Sequence, residues 1–159
     1  TWFSPAVSME HRLMGYMQAL RERDIPMDES LVCRVQGYPT IDHSTLVKYL
    51  SRPDRPTAIF AANDQIAIAL YRAAALVGLQ IPQDVSVMGF DDLDISPHLE
   101  PSLTTLAQPF NQIGKEAARI LLSRIQGETF PLLQVTLAAH IIVLNSCCEW
   151  QGDKVTAQD

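Results

Sequence analysis

The chain has 159 residues, a net charge of -6 and a composition that is 47% apolar and 19% charged, which is typical of a globular domain. Because the chain is acidic, it lacks the basic surface that phosphate contacts require. Nucleic acid, if it is a partner, must therefore be held by residues outside this sequence. No apolar run reaches the length of a membrane span, and no charged-then-apolar leader opens the chain. The three cysteines are odd in number and two are adjacent, so they do not suit a disulfide framework; they are Cys33, Cys147 and Cys148. We therefore expect reduced, mostly buried thiols and a cytoplasmic protein.

The first half of the chain alternates between helical and β-leaning segments. Residues 1–5 have the character of the tail of a strand. Apolar residues at helical spacing follow Ser8, which can cap a first turn, and they predict a helix from residue 8 to about residue 23. A short strand is predicted for residues 31–36 and a helix for residues 42–50.

The second half contains two apolar runs that end at polar pairs. Residues 57–62 break at Asn63-Asp64, and residues 85–90 break at Asp91-Asp92. A helix is predicted for residues 64–77 and another for residues 110–125, and each ends at a glycine. A strand over residues 104–108 lies between the two helices, and a last strand lies within residues 134–143. Alternating strands and helices predict an α/β fold, with a parallel sheet and helices on both faces.

Polar residues that follow successive strands are the candidates for a binding site. Because parallel strands end at one rim of the sheet, where ligands bind, the side chains Ser8, Arg12, Tyr38, Asn63 and Asp91 are expected there. A guanidinium fork, a carboxylate and an amide suit a polyol or a purine-like ring, and Tyr38 could line a sugar face. In the alternative interpretation, Asn63 and Asp91 only cap helices or turns and Arg12 is a solvated residue.

The helix over residues 64–77 carries two apolar stripes. One consists of Ile66, Leu70, Ala73 and Val77, and the other consists of Ile68, Tyr71 and Ala75. A helix that is apolar on two sides is covered on two sides, either inside one core or at a subunit interface, and the pattern leaves both open.

Other chemistries find little support in the sequence. The histidines and cysteines lack the spacing of zinc ligands, and no nucleophile elbow or glycine-rich phosphate loop is present. The acidic residues Asp91, Asp92 and Asp94 suit a turn better than a cation site. We therefore expect no catalytic residues, no metal and no cofactor.

Three long motifs, in order, resemble the LacI/GalR family of bacterial transcription regulators. They are residues 55–64 (RPTAIFAAND), 78–92 (GLQIPQDVSVMGFDD) and 101–109 (PSLTTLAQP), and residues 12–16 (RLMGY) add a fourth. The resemblance covers residues 8–146, and it is weakest at the last strand, where Leu144 stands at a position that is commonly Arg in the family.

The resemblance implies an effector-binding domain of the periplasmic-binding-protein type, with two subdomains that close on a small ligand. It assigns ligand contacts to Arg12, Asn63 and Asp91, and with less specificity to Ser8, Tyr38, Gln108 and Phe110. It also implies a homodimer, and operator DNA would be bound only through a headpiece that this chain does not contain. The implied dimer contacts are Ile68, Tyr71 and Ala75, together with residues 94–99, among them Asp94, Ile95 and Leu99.

The same resemblance implies a division of the chain. Residues 1–108 and 139–159 would belong to the C-terminal subdomain and residues 109–138 to part of the N-terminal one, in a family whose chains are about twice as long. We therefore expect weak or no effector binding by this chain alone and an uncovered apolar stripe at Phe110, Ile113, Ala117 and Leu121. That helix is expected to be displaced, disordered or packed on another copy.

Two further classes of protein remain open at this stage. A periplasmic sugar-binding protein of an ABC transporter shares the fold and is the leading alternative, and an enzyme is a more distant one. The ligand also remains open, since Arg, Asn and Asp suit pentoses, hexoses, nucleosides and purines alike.

Overall fold

A computed structural model describes residues 5–35, 41–128 and 134–149, with side chains from Ser8 onward. The helices are α1 (Pro5–Arg21), α2 (His43–Leu50), α3 (Asp64–Leu76) and α4 (Phe110–Ile125). The strands are β1 (Ala58–Phe60), β2 (Ser86–Asp91), β3 (Thr104–Ala107) and β4 (His140–Ile142), and single 3-10 turns cover Glu29–Leu31 and Ser96–His98. In these ranges no helix has the length and apolar character needed to cross a membrane.

The four strands form one sheet in the order β1-β2-β3-β4. The first three strands are parallel, as predicted, but β4 is antiparallel to β3 and makes the sheet mixed. Beyond β4 the chain continues antiparallel past the start of β3, where the Leu144 N–H donates to Thr104 Oγ1 at 3.0 Å. Ser146 then joins β2 to β3, because its hydroxyl accepts from the Thr104 N–H and donates to the Val87 carbonyl.

The ends of the helices follow from local chemistry. Gly78 and Gly127, at φ +77° and +82°, end α3 and α4 in the left-handed conformation that favours glycine. Asp42 caps α2 by accepting from the Ser44 N–H at 2.9 Å. The predicted cap at Ser8 is wrong, because α1 already begins at Pro5, a residue well suited to a first helical turn, and Ser8 lies inside the helix.

The strand predicted over residues 31–36 is not formed in the part that the structure describes. Leu31 ends a 3-10 turn, residues 32–35 have no regular structure, and residue 36 lies outside the described residues. A cavity of about 590 Å³ separates this segment from β1, with α1 along a third side. Without an adjacent strand, the apolar run has no ladder in which to pair.

The core lies between α2, α3 and the sheet. Leu46 of α2, Leu70 of α3, Val87 of β2 and Leu103 are each at most 2% exposed. By contrast, α4 has no buried residue, and its predicted stripe is exposed at all four positions, which are Phe110, Ile113, Ala117 and Leu121. The helix forms as predicted but its apolar face is open.

Candidate functional site

Three of the predicted site residues meet where β2 and β3 end. Asp91 closes β2, Gln108 directly follows β3, and Arg12 reaches the same point from α1. The Gln108 Nε2 donates to Asp91 Oδ1 at 2.6 Å, and the Arg12 Nη2 lies 3.5 Å from the same oxygen. The structure therefore brings a guanidinium, a carboxylate and an amide together at one rim of the sheet.

The Arg12 guanidinium is held by contacts with two further residues. Its Nη1 donates to the Ala62 carbonyl, and its central carbon lies 3.8 Å from the centroid of the Phe90 ring. A cation over an aromatic face is attractive, and a planar group suits this stacking better than an ammonium. Phe90 of β2 and Ala62, just beyond β1, thus fix the plane of the guanidinium. No pattern in the sequence indicates the roles of Phe90 and Ala62.

Asn63 lies at the same rim, three residues after the end of β1, and is 7% exposed. Its Oδ1 accepts from the Ile66 N–H at 2.8 Å, which makes it the N-cap of α3. The structure therefore shows the capping part of the alternative interpretation for this residue. The amide nitrogen is the group that Asn63 can still offer to a ligand.

Asp91 has unusual backbone and electrostatic properties. Its φ is +124° and that of Asp92 is +58°, values that L residues rarely adopt. Burial raises the pKa of the Asp91 carboxyl, while Gln108 and Arg12 act to lower it and Asp64 acts to raise it. Within the described residues both side-chain contacts go to Oδ1, so Oδ2 can accept from a ligand hydroxyl or N–H.

The remaining predicted ligand contacts lie around this cluster or outside the described residues. Ser8 precedes Arg12 by one helical turn, so both lie on one side of α1. Phe110 is the first residue of α4 and is 58% exposed, and its N–H donates to the Gln108 carbonyl at 2.8 Å. Tyr38 lies outside the described residues.

Asp64 is a key residue that the sequence reasoning did not identify. It is fully buried at the start of α3. Its Oδ1 accepts from the Thr105 hydroxyl at 2.6 Å, and its Oδ2 accepts from the Ser96 hydroxyl at 2.6 Å and the Leu93 N–H at 2.9 Å. A carboxylate so deep needs several donors. The signal that could have revealed it is the pair of threonines, Thr104 and Thr105, in a short strand whose other residues are apolar.

The residues of the implied dimer surface are partly covered by the chain itself. Ile68 and Tyr71 are half-buried, and Ala75 is exposed. The Tyr71 hydroxyl donates to the Pro101 carbonyl at 2.8 Å, and burial raises the pKa of this phenol to about 12. In the following segment Asp94 and Ile95 are exposed and Leu99 is half-buried. The second stripe of α3 therefore packs partly on its own subunit and leaves an open remainder.

Metal and thiol chemistry add little to this site. No cluster of metal-binding side chains occurs among the residues that the structure describes. The thiols are free, but the prediction that they are mostly buried is wrong: Cys33 and Cys147 are half-buried and Cys148 is exposed. Burial raises the pKa of the Cys33 thiol, so it is a poor nucleophile.

The fold places these side chains at the rim where open α/β sheets bind ligands. The chain belongs to the family described as "Periplasmic binding protein-like domain", whose pattern matches residues 3–147. This confirms the predicted fold class, with the antiparallel β4 as the one change to its sheet.

The relatives are transcription regulators. The chain is 37% identical over 118 residues to the repressor CytR of Escherichia coli K12, a match that covers 74% of this chain and 35% of CytR. It is 36% identical over 137 residues to the regulator CelR of Thermobifida fusca, a match that covers 85% of this chain and 40% of CelR. It thus spans well under half the length of these curated relatives. The predicted LacI/GalR resemblance is confirmed, and neither an enzyme nor a transporter protein is favoured.

Solved structures agree with the sequence comparison. A CelR–cellobiose complex superposes with a TM-score of 0.73 at 34% identity, covering 85% of this chain and 41% of that one. A LacI-family regulator from Enterococcus faecium with bound ribose gives a TM-score of 0.77 at 30% identity, with 87% and 51% covered. Both likenesses extend over most of this chain.

Proposed function

We propose that this chain is the effector-binding and dimerisation part of a LacI-type regulator whose binding to operator DNA is controlled by a small molecule. The observation that carries the proposal is the convergence of Arg12, Asp91 and Gln108 at the ends of β2 and β3, with Asn63 at the end of β1. Ligands bind at this rim in open parallel sheets. The relatives that match the chain are regulators, which supports a regulator over a transport protein.

The side chains favour a hydroxyl-rich ligand. Asp91 Oδ2 can accept from a hydroxyl or a ring N–H, the amide of Asn63 can donate, and Arg12 presents a fixed fork of donors. The partly desolvated carboxylate is suited to a neutral donor such as a sugar hydroxyl. We infer a sugar or a nucleoside or purine-like effector, a class that includes the cellobiose and ribose bound to two of the relatives.

In this proposal the rim site forms one wall of a cleft. We infer that residues 1–108 and 139–159 form the C-terminal subdomain and that residues 109–138 belong to the N-terminal one. The exposed face of α4 supports this division, since Phe110, Ile113 and Leu121 need an apolar neighbour. The division also agrees with the comparison in which this chain covers only 35% of CytR and 40% of CelR. Such a half-cleft would bind an effector weakly or not at all without the second wall.

Dimerisation and location follow from the same proposal. The exposed Ala75 of the second α3 stripe, together with the half-buried Ile68, would continue onto Ile95 of the next segment to form a homodimer surface. Operator DNA would be bound by a separate headpiece, since this acidic chain offers no basic footprint. The free thiols agree with a cytoplasmic location.

The proposed mechanism is a population shift. An effector that binds the closed cleft more tightly than the open one favours the closed state, and the changed angle between subdomains alters how two headpieces fit a palindromic operator. A coupling of about 1–3 kcal/mol suffices for such control.

The test is a DNA-binding measurement on the full-length protein. Operator DNA, selected from a random library, is titrated by fluorescence anisotropy with and without ribose, cellobiose, nucleosides and purines. We expect one of these compounds to change the DNA affinity by fivefold or more. A full-length protein that binds such a compound but no DNA, and that begins with an export signal, would instead be a periplasmic binding protein of a transporter.

A further inference from the structure

We propose that Asp64 is a positioning residue: with Thr105 it holds Asp91 in its binding conformation and ties it to the segment over residues 93–96. The inference rests on the proposed function only in treating Asp91 as a ligand contact. The geometry on which it depends is independent of any ligand.

The two carboxylate oxygens of Asp64 hold different parts of the fold. Oδ1 accepts from the Thr105 hydroxyl of β3 at 2.6 Å. Oδ2 accepts from the Leu93 N–H at 2.9 Å and the Ser96 hydroxyl at 2.6 Å. Asp64 is completely buried and fixed at the first turn of α3, so the group that receives these donors cannot move toward solvent.

Thr105 extends this contact to the residue directly after Asp91. Its hydroxyl donates to Asp64, and the same oxygen accepts from the Asp92 N–H at 3.4 Å. Two successive backbone N–H groups, those of Asp92 and Leu93, are thus received by Thr105 and Asp64. The chain that leaves β2 is held immediately beyond Asp91.

The hydrogen bonds to the Asp92 and Leu93 N–H groups stabilise an unfavourable backbone conformation at the turn. Asp91 and Asp92 both have positive φ, a conformation that L residues keep only when their surroundings enforce it. If the two N–H groups were released, Asp91 could relax toward an ordinary φ. Its carboxylate would then turn away from Gln108 and Arg12.

The same anchor also reaches the proposed dimer surface. Asp94 and Ile95 are exposed, and they lie between Leu93 and Ser96, both of which Asp64 holds. A movement of the Asp91 turn on ligand binding therefore acts on a segment whose two ends share one carboxylate. This gives a contiguous physical route from the binding rim to the subunit surface.

The experiment compares two neighbouring buried threonines of β3 in the full-length protein by hydrogen exchange at single-residue resolution. Thr105→Val removes the hydroxyl that serves Asp64 and Asp92. Thr104→Val is the matched control, because the Thr104 hydroxyl serves the Leu144 N–H instead. We expect Thr105→Val to speed exchange at Asp92 and Leu93 tenfold or more and to leave Leu144 unchanged, and Thr104→Val to do the reverse. Thr105→Ser should restore slow exchange.

Uniform acceleration along the chain by Thr105→Val, or none at Asp92 and Leu93, would overturn the proposal. If Thr105→Val does not fold, the wild type still decides: the Leu93 amide should exchange at least tenfold more slowly than the Asp94 amide, and equal rates would overturn the proposal. Neither readout needs an effector, so the proposed function can fail while this inference stands. In a separate calorimetric titration with ribose, cellobiose, nucleosides and purines, Thr105→Val should bind the compound that the wild type binds about tenfold more weakly, and Thr104→Val should bind it normally. Equal affinity in Thr105→Val and wild type would overturn the positioning role.

Discussion

Gly89 of β2 lies directly against the carboxylate of Asp64. A Cβ built on Gly89 would overlap Asp64 Oδ1 and lie 3.1 Å from Leu103 Cδ2. The strand can pass this close to the buried carboxylate only because Gly89 has no side chain. The relationship explains a glycine in the middle of an apolar strand and leads to a first prediction.

Gly89→Ala should destabilise the fold by about 1–3 kcal/mol, since Asp64 is held by three donors and cannot yield. Urea unfolding measures the change. Gly114→Ala is the matched control, because Gly114 lies in α4 with no atom within 4 Å of its added Cβ. The free energy of unfolding of Gly114→Ala should exceed that of the wild type by roughly 0.5–1 kcal/mol. Equal stability of the two variants would contradict the close approach.

Asp91→Asn should alter the pH dependence of stability. Burial raises the native pKa of Asp91, so the native state binds the proton more tightly than the unfolded chain. The wild type therefore loses stability relative to Asp91→Asn as pH rises from 3.8, the ordinary carboxyl pKa, through the raised pKa of Asp91 in the native state. Above that native pKa the difference in the free energy of unfolding between the two proteins is constant. Urea unfolding of both proteins across this range tests the sign. A wild type that gains stability relative to Asp91→Asn as pH rises would contradict the assigned direction.

Asn63 combines a capping role with a proposed binding role, and two substitutions separate them. Asn63→Ala removes the cap of α3 and should cost about 1 kcal/mol of stability. Asn63→Asp keeps a capping oxygen and places a negative charge at a helix N-terminus, so its stability should stay within about 0.5 kcal/mol of wild type. Both should bind the effector poorly, because both lack the amide donor. Normal affinity in Asn63→Asp would remove Asn63 from the site.

Ile95→Asp should dissociate the proposed dimer without unfolding the subunit. Ile95 is 47% exposed in the monomer, so a charge there meets solvent in the free subunit and an apolar surface in the dimer. Sedimentation velocity of the full-length protein measures the shift to monomer. Met14→Asp, at a 63% exposed apolar residue of α1, is the control and should leave the dimer intact. An unshifted Ile95→Asp protein would place the interface elsewhere.

The sequence predicted those elements whose boundaries depend on local chemistry. Glycines in the left-handed conformation end α3 and α4, and the polar residues Asn63 and Asp91 stand where the apolar runs of β1 and β2 stop. Each signal involves only a few neighbouring residues. The rim residues Arg12 and Asp91 could be placed together because parallel strands share an edge.

What could not be predicted depends on residues far apart in the chain. Residues 31–35 have β-forming side chains, but a cavity lies where an adjacent strand would have to pair. The antiparallel direction of β4 depends on contacts with Thr104, some 40 residues earlier. The role of Asp64 depends on donors from Leu93, Ser96 and Thr105, and the stacking of Arg12 depends on Phe90. Apart from the threonines of β3, none of these pairings has a local signal in the sequence.

The most direct test of the proposed site is a calorimetric titration of the full-length protein with ribose, cellobiose, nucleosides and purines. We expect one of them to bind, its affinity to fall at least tenfold in Asp91→Asn, and the affinity to be unchanged in Asp94→Asn, which alters an exposed carboxylate three residues away. Unchanged affinity in Asp91→Asn, or binding by none of these compounds, would contradict the assignment of the β2–β3 rim as the effector site.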